Sequence, residues 1–162
     1  MRTNPEPSED NHYLASHVRL LAESYQRLTG RVLIESPSPS TAPIARFLYE
    51  APFVVMSHGL EHDPIFNYAN LAAQRLFEMP WSRYTQTPSR MSAEPVNREE
   101  RARLLDTVSR QGFIDNYRGV RISNGGQRFF IERATVWNVI DEKGEHHGQA
   151  ATFESWTPLP ST

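Results

Sequence analysis

The strongest constraint on this chain lies toward its C-terminal end. The runs FIDNYRGVRIS (113–123), QRFFIERATVWNVI (127–140) and GQAATFESW (148–156) are rich in β-branched and aromatic residues. Only NGG (124–126) and DEKGEHH (141–147) separate them. Connections this short join antiparallel neighbours, because a parallel pair needs a crossover of a dozen or more residues. NGG is also a strong hairpin turn, since its residues tolerate positive φ. The three runs therefore predict one antiparallel meander, and the rest of the chain must supply its cover.

Upstream, FVVMS (53–57) predicts a buried strand and IFNY (65–68) a second one. Asn70 is placed to cap a helix over LAAQRLFEM, which Pro80 ends. Residues 81–96 predict short helical turns packed by Trp81, Tyr84 and Met91. Asn97 and Glu100 resemble a capping box. The helix they open has Leu104, Leu105 and Val108 as its apolar stripe, and Arg98, Glu99, Arg101, Arg103 and Asp106 as a solvated face. Gly112 ends it.

The first part of the chain predicts a separate helix. Leu14, Val18, Leu21, Tyr25 and Leu28 fall on one stripe, Ser8 or Asn11 can cap its start, and Gly30 suits its end. The expected layout is a disordered leader (1–10), an N-terminal amphipathic helix (11–34), a Pro/Ser-rich linker (35–43), the main domain (44–157) and a tail (158–162). Pro43 and Pro52 bracket two turns of helix over PIARFLYE.

Composition narrows the chemistry. With 162 residues, one domain with short tails is expected. Cysteine is absent, which excludes disulfides, thiolate metal sites, thiol nucleophiles and covalent cysteinyl cofactor adducts. The 17 basic and 19 acidic side chains are interleaved and sum to −2, giving no footprint for nucleic acid. No apolar run approaches the ~20 residues that span a bilayer. The first residues carry no signal-peptide core, so a cytoplasmic protein is expected, with no membrane contact.

Two strands, several helices and then a three-strand meander resemble the PAS sensory fold. That resemblance implies an α+β domain: a five-stranded antiparallel sheet with helices on one face, a pocket between, and here an added N-terminal helix. More finely, the chain resembles the MEKHLA domain family, found as small bacterial proteins and as the C-terminal part of plant homeodomain–leucine-zipper regulators. The matching stretches include SHGLEHDPIFNYAN (57–70), PSRMSAEP (88–95), EERARLL (99–105), YRGVRIS (117–123), FIERATVWN (130–138) and GQAATF (148–153). The small stand-alone bacterial type is the closer likeness, because no zipper or basic recognition helix accompanies these motifs. The letters M-E-K-H-L-A do not occur as a string.

The expected ligand-binding residues are Asp63, Asn67, Asn70, Trp81, Arg90, Tyr117, Arg121, Trp137 and Gln149. Each has a plainer reading. Asn70 can simply cap a helix, Arg90 can pair with Glu94, and the aromatic rings can all be core. His58, Glu61, His62 and Asp63 cluster within six residues, but Gly59 and Pro64 disfavour a helical metal site, and a polar loop is the expectation.

Function divides into three classes, of which the last, pure protein interaction, predicts an exposed apolar stripe on the first helix and no pocket. In the first, the domain senses a small molecule held non-covalently, a flavin or a metabolite, and signals through a protein partner or a homodimer formed along residues 14–28. The same seam can instead fold back on its own domain. Haem is disfavoured, because residues 97–112 contain no histidine. In the second class the pocket is catalytic, with His58 as general acid/base, Asp63 orienting it and Arg90 anchoring an anionic substrate. That reading requires His58 and Arg90 to face one cavity.

Overall fold

The computed structural model describes residues 5–35 and 44–160. Expected features at 1–4, 36–43 and 161–162, which include most of the linker, lie outside the described residues. The helices are α1 (Ala15–Thr29), α2 (Ile44–Glu50), α3 (Leu71–Leu76), α4 (Trp81–Tyr84) and α5 (Pro95–Gln111). The strands are β1 (Val54–His58), β2 (Phe66–Ala69), β3 (Phe113–Ile122), β4 (Arg128–Ile140), β5 (His146–Phe153) and β6 (Ser155–Pro158).

The expected meander forms, and the two early strands join it. The sheet order is β2-β1-β5-β4-β3, every pairing antiparallel. The last run is not one strand. It breaks at Glu154, and β6 pairs with Phe129–Glu132 at the other end of β4, adding a short sixth strand. Strand β4 is long enough to carry both partners along one edge.

Alternation along the strands gives the sheet two faces. Val55, Trp137, Val139 and Ala150 pack with Val18, Leu21 and Tyr25 of α1. Val54, Met56, Phe129, Ile131 and Phe153 pack toward α3 and α4, while Val136 meets Leu104 and Val108 of α5. The N-terminal helix therefore folds back on its own sheet, and the seam expected over 14–28 is filled by this chain. Tyr25 stands edge-on to Trp137 with ring centroids 4.9 Å apart.

A buried serine pins that helix. Ser24 Oγ donates to the carbonyl of Asn138 at 2.6 Å and accepts the Ile140 N–H at 2.9 Å. Ser24→Ala leaves both backbone groups without this partner, and a loss of about 1–2 kcal/mol is expected. Urea denaturation measures it, and faster exchange of the Ile140 amide identifies its cause.

Several local expectations need correcting. Helix α1 is shorter than 11–34, because His12, Tyr13 and Leu14 adopt positive φ and put a 3-10 turn (Glu9–Leu14) before it. From Pro5 onward the leader is ordered. Pro7 is buried, Asn11 Nδ2 donates to the Glu6 carbonyl at 2.8 Å, and Ser8 N–H donates to Asn11 Oδ1 at 3.0 Å. Helix α5 starts at Pro95 with Glu94 before it, not at Asn97, since proline at the first position has no N–H to leave unpaired. Met91 is 48% exposed and does not pack residues 81–96, whereas Trp81 and Tyr84 are buried as expected.

Candidate functional site

A cavity lies on the inner face of the sheet. Its floor comes from β1, β4 and β5 (Met56, His58, Ile131, Val136, Gln149, Ala151), and α5 covers it with Arg101, Leu104 and Leu105. Tyr117 and Arg121 of β3 close one side, and Ser92 and Phe66 complete the wall. The cavity is narrow, with a volume of only about 40 Å³. That holds a few waters, or a small ligand.

His58 reaches the cavity because of a glycine opposite it. Gly148, at φ +142°, follows the β4–β5 turn, and a Cβ there would strike the carbonyl oxygen of His58. Only glycine lets β5 approach the end of β1 so closely. His58 is 8% exposed. Burial, followed in smaller measure by the neighbouring Arg101 charge, lowers its pKa to about 4 although Gly59 and Glu61 oppose this. His58 is thus neutral. Nδ1 lies 3.1 Å from the Gly59 carbonyl, which can only accept, so Nδ1 carries the proton and Nε2 is a bare acceptor. Nε2 has no hydrogen-bond partner.

Arg101 was expected on the solvated face of its helix. It instead lines the cavity, where burial and then the nearby Arg121 charge lower its pKa to about 10. Arg121 itself is engaged, donating to the Val120 carbonyl at 2.8 Å and to the Tyr117 hydroxyl at 3.1 Å, with its guanidinium over the Tyr117 ring. Tyr117 in turn donates to Glu100 at 2.9 Å. Gln149 Nε2 donates to the Leu105 carbonyl at 3.0 Å, and contacts Ser109 and Asn138 as well.

The cavity therefore gathers His58, Tyr117, Arg121 and Gln149 from the sequence candidates, and not the others. Asp63 and Arg90 pair with each other at 3.1 Å, both about half exposed, and neither lines it. The expected Arg90–Glu94 pair is absent because Glu94 binds Arg128 at 2.7 Å. Asn67 accepts a hydrogen bond from Ser57 at 2.5 Å. Asn70 is wholly internal. Its Oδ1 accepts from Val55 N and Ala73 N, and its Nδ2 donates to the carbonyls of Leu48 and Phe53, so the amide has nothing left for a ligand. Trp81 and Trp137 belong to the core on the α1 side of the sheet.

The catalytic arrangement is accordingly not assembled: His58 faces the cavity, Arg90 does not, and Asp63 is bound to Arg90 rather than to His58. Arg101 is the residue that sequence reading missed. Its position three before Leu104 is the only signal available, since on a helix it places the two on neighbouring parts of one face.

A wider depression on the α1 face, beside Tyr25 and Phe53, has its arginines engaged: Arg31 with Asp115 at 2.8 Å, and Arg133 with Ser155 at 2.9 Å. Among the described residues, Asp141, Glu145 and His147 have metal-ligand spacing. They lie on the β4–β5 turn and at the start of β5, where His147 Nε2 and Asp141 Oδ2 are 2.9 Å apart. Among the described residues, no helix is long and apolar enough to cross a membrane.

Solved structures similar to this one include PAS domains. The PAS domain of a Colwellia psychrerythraea protein superposes with a TM-score of 0.59 at 15% identity, over 67% of this chain and 90% of that one. An RNA-binding light-oxygen-voltage receptor superposes at 0.56 and 15% identity, over 75% of this chain and 36% of that one. The PAS domain of a LuxR-family transcriptional regulator from Burkholderia thailandensis, solved with ethanol, gives 0.53 at 14% identity, over 70% and 95%. At such identities the likeness establishes the fold alone.

Sequence relatives are plant proteins. Homeobox-leucine zipper protein HOX32 of Oryza sativa subsp. japonica is 25% identical over 95% of this chain and 18% of its own length. ATHB-9 of Arabidopsis thaliana is 24% identical over 86% of this chain and 17% of its own length. This chain thus spans less than a fifth of these curated relatives. The family model of the MEKHLA domain matches residues 15–158, from the start of α1 to the end of β6, and the chain belongs to the MEKHLA domain family.

Proposed function

We propose that this domain is a PAS-like sensory module that binds a small molecule non-covalently in the inner cavity and passes its occupancy through β1 to α1. Strand β1 is the observation that carries this reading. Met56 and His58 border the cavity, while Val55 packs against the α1 face. Ser57, the residue before His58, lies 3.0 Å from Nε2 of His17 on α1. A ligand that displaces His58 moves the strand that holds the helix.

Loosening α1 would uncover Leu14, Val18, Leu21, Tyr25 and Leu28, an apolar seam fit for a second copy of the chain or another protein partner. The interior is too narrow for the tricyclic ring of a flavin unless its walls move, so a small metabolite is the better occupant. We take the setting to be the cytoplasm of a bacterium. Neither nucleic acid nor a membrane has a part in this reading.

Native mass spectrometry of the chain purified without added ligand is expected to show a bound small molecule. Resupplying that molecule at a hundred times its Kd adds ~2.7 kcal/mol of stability, and a rise in Tm of several degrees follows. Hydrogen exchange of the 15–29 amides is expected to change with occupancy, and sedimentation to show whether self-association follows. A chain that carries nothing and whose Tm no metabolite pool shifts would refute the sensing role.

A further inference from the structure

We propose that the cavity is built for a short-chain hydroxy acid, with its carboxylate on Arg101, its hydroxyl donating to Nε2 of His58, and its aliphatic remainder among Met56, Ile131 and Val136. This rests on the cavity being the ligand site and specifies the ligand.

Most polar groups of the cavity are already paired. Arg121, Tyr117 and Gln149 are engaged as described above, Ser57 donates to Asn67, and Ser92 donates to the Ser89 carbonyl at 2.8 Å. The acids nearest this wall are occupied too, Glu100 by Tyr117 and Asp63 by Arg90. Among the described residues that line the cavity, Arg101 is then a cation and His58 Nε2 a buried acceptor without a partner. Arg101 makes no hydrogen bond or ion pair there; Arg121 and then Arg98 repel it, and the attraction of Asp63 is smaller than either. A guanidinium keeps its charge and offers a planar fork to an oxyanion, so a half-buried and unpaired one favours a carboxylate as occupant.

His58 adds the second requirement. Its Nδ1–H is spent on Gly59, and Nε2, on a side chain that lines the cavity, is a buried acceptor without a partner. A carboxylate alone would set acceptor against acceptor at that atom. A hydroxyl satisfies it. A plain acid therefore answers Arg101 only, an alcohol answers His58 only, and a hydroxy acid answers both. The remaining wall is apolar (Met56, Ile131, Val136), and the narrow interior limits the tail to a few carbons.

The test uses three probes with one carbon skeleton: α-hydroxybutyrate, butyrate and the corresponding vicinal butanediol. Each is titrated into the full chain and followed by amide chemical shifts. α-Hydroxybutyrate is expected to bind best, with butyrate and the diol each about tenfold or more weaker, the cost of leaving one buried partner unpaired. Arg101→Met, which keeps the aliphatic stem, should weaken both acids about tenfold or more and leave the diol unchanged. Arg101→Lys should retain most acid binding, which separates lost charge from lost folding. His58→Leu should erase the preference for α-hydroxybutyrate over butyrate without abolishing butyrate binding.

Equal binding of the diol and the hydroxy acid, or hydroxy-acid binding indifferent to Arg101→Met, overturns the assignment. If none of the probes binds while native mass spectrometry shows a different molecule in the chain, the ligand class falls and the sensing role stands. If none binds and nothing co-purifies, both fall.

Discussion

Asn70→Leu is expected to destabilise the domain by roughly 3–5 kcal/mol, the cost of stranding four buried backbone groups where each is worth about 1–3 kcal/mol less whatever re-pairs. Asn70 is 0% exposed and joins three elements through one amide. Oδ1 holds the Val55 N–H of β1 and the Ala73 N–H at the start of α3, each at 3.1 Å. Nδ2 holds the carbonyls of Leu48 in α2 and Phe53 before β1, at 3.0 and 2.8 Å. Leucine has nearly the same shape and none of these bonds. In urea the midpoint should fall sharply with the slope retained, since the surface exposed on unfolding is unchanged. Val96→Ala, at a position 82% exposed, is the control and should stay within about 0.5 kcal/mol. An Asn70→Leu midpoint that matches the control would contradict the structural role.

Acidification is expected to cost about 3 kcal/mol between pH 6.5 and 4 through His58 alone. Its pKa falls from 6.5 to about 4 on folding, and each unit is worth ~1.4 kcal/mol. In that window the unfolded chain binds a proton that the folded chain refuses. Stability is therefore complete above pH 6.5 and declines as pH drops toward 4. The groups facing the ring agree with this sign: Arg101 on α5 opposes its protonation, and Glu61 in the following loop only partly offsets burial.

His17 on α1 adds to the same trend. Burial, then the neighbouring His147, lowers its pKa to about 4. Its side chain is only partly buried, so solvent reduces its share. Urea midpoints measured from pH 7 to 4 should fall for the native chain and fall markedly less for His58→Leu. Parallel curves for the two would show that His58 is not a buried neutral histidine.

How much was legible in the sequence differs between elements for physical reasons. Strand β1, the β3–β4 hairpin and the cap at Asn70 depend on nearest neighbours and on turn chemistry, and they appear where the residues place them. The Asn97 capping box did not form, because Pro95 two residues earlier already satisfies the demands of a helix start. The break at Glu154 was hidden for another reason. Strand propensity continues through Ser155–Pro158, and only the presence of Phe129–Glu132 alongside diverts the chain to a new partner.

The site was less legible than the fold. Four of its residues were expected, but Arg90 and Asp63 were chosen for charge and proximity in sequence, and they neutralise each other outside. Arg101 looked like one more charge on a polar helix. It became the unpaired cation of the cavity only when α5 lay across β4 and β5.

The sequence by itself determined the antiparallel meander, the helix stripes and the exclusion of thiol chemistry, since each follows from local spacing or from composition. Only the tertiary structure decided that residues 14–28 pack on this chain's own sheet, and that His58 and Arg101 meet. Those outcomes depend on which faces are brought together across 40 or more residues, as at His17 and Ser57. Periodicity along one element records that a face will be buried, but not against what.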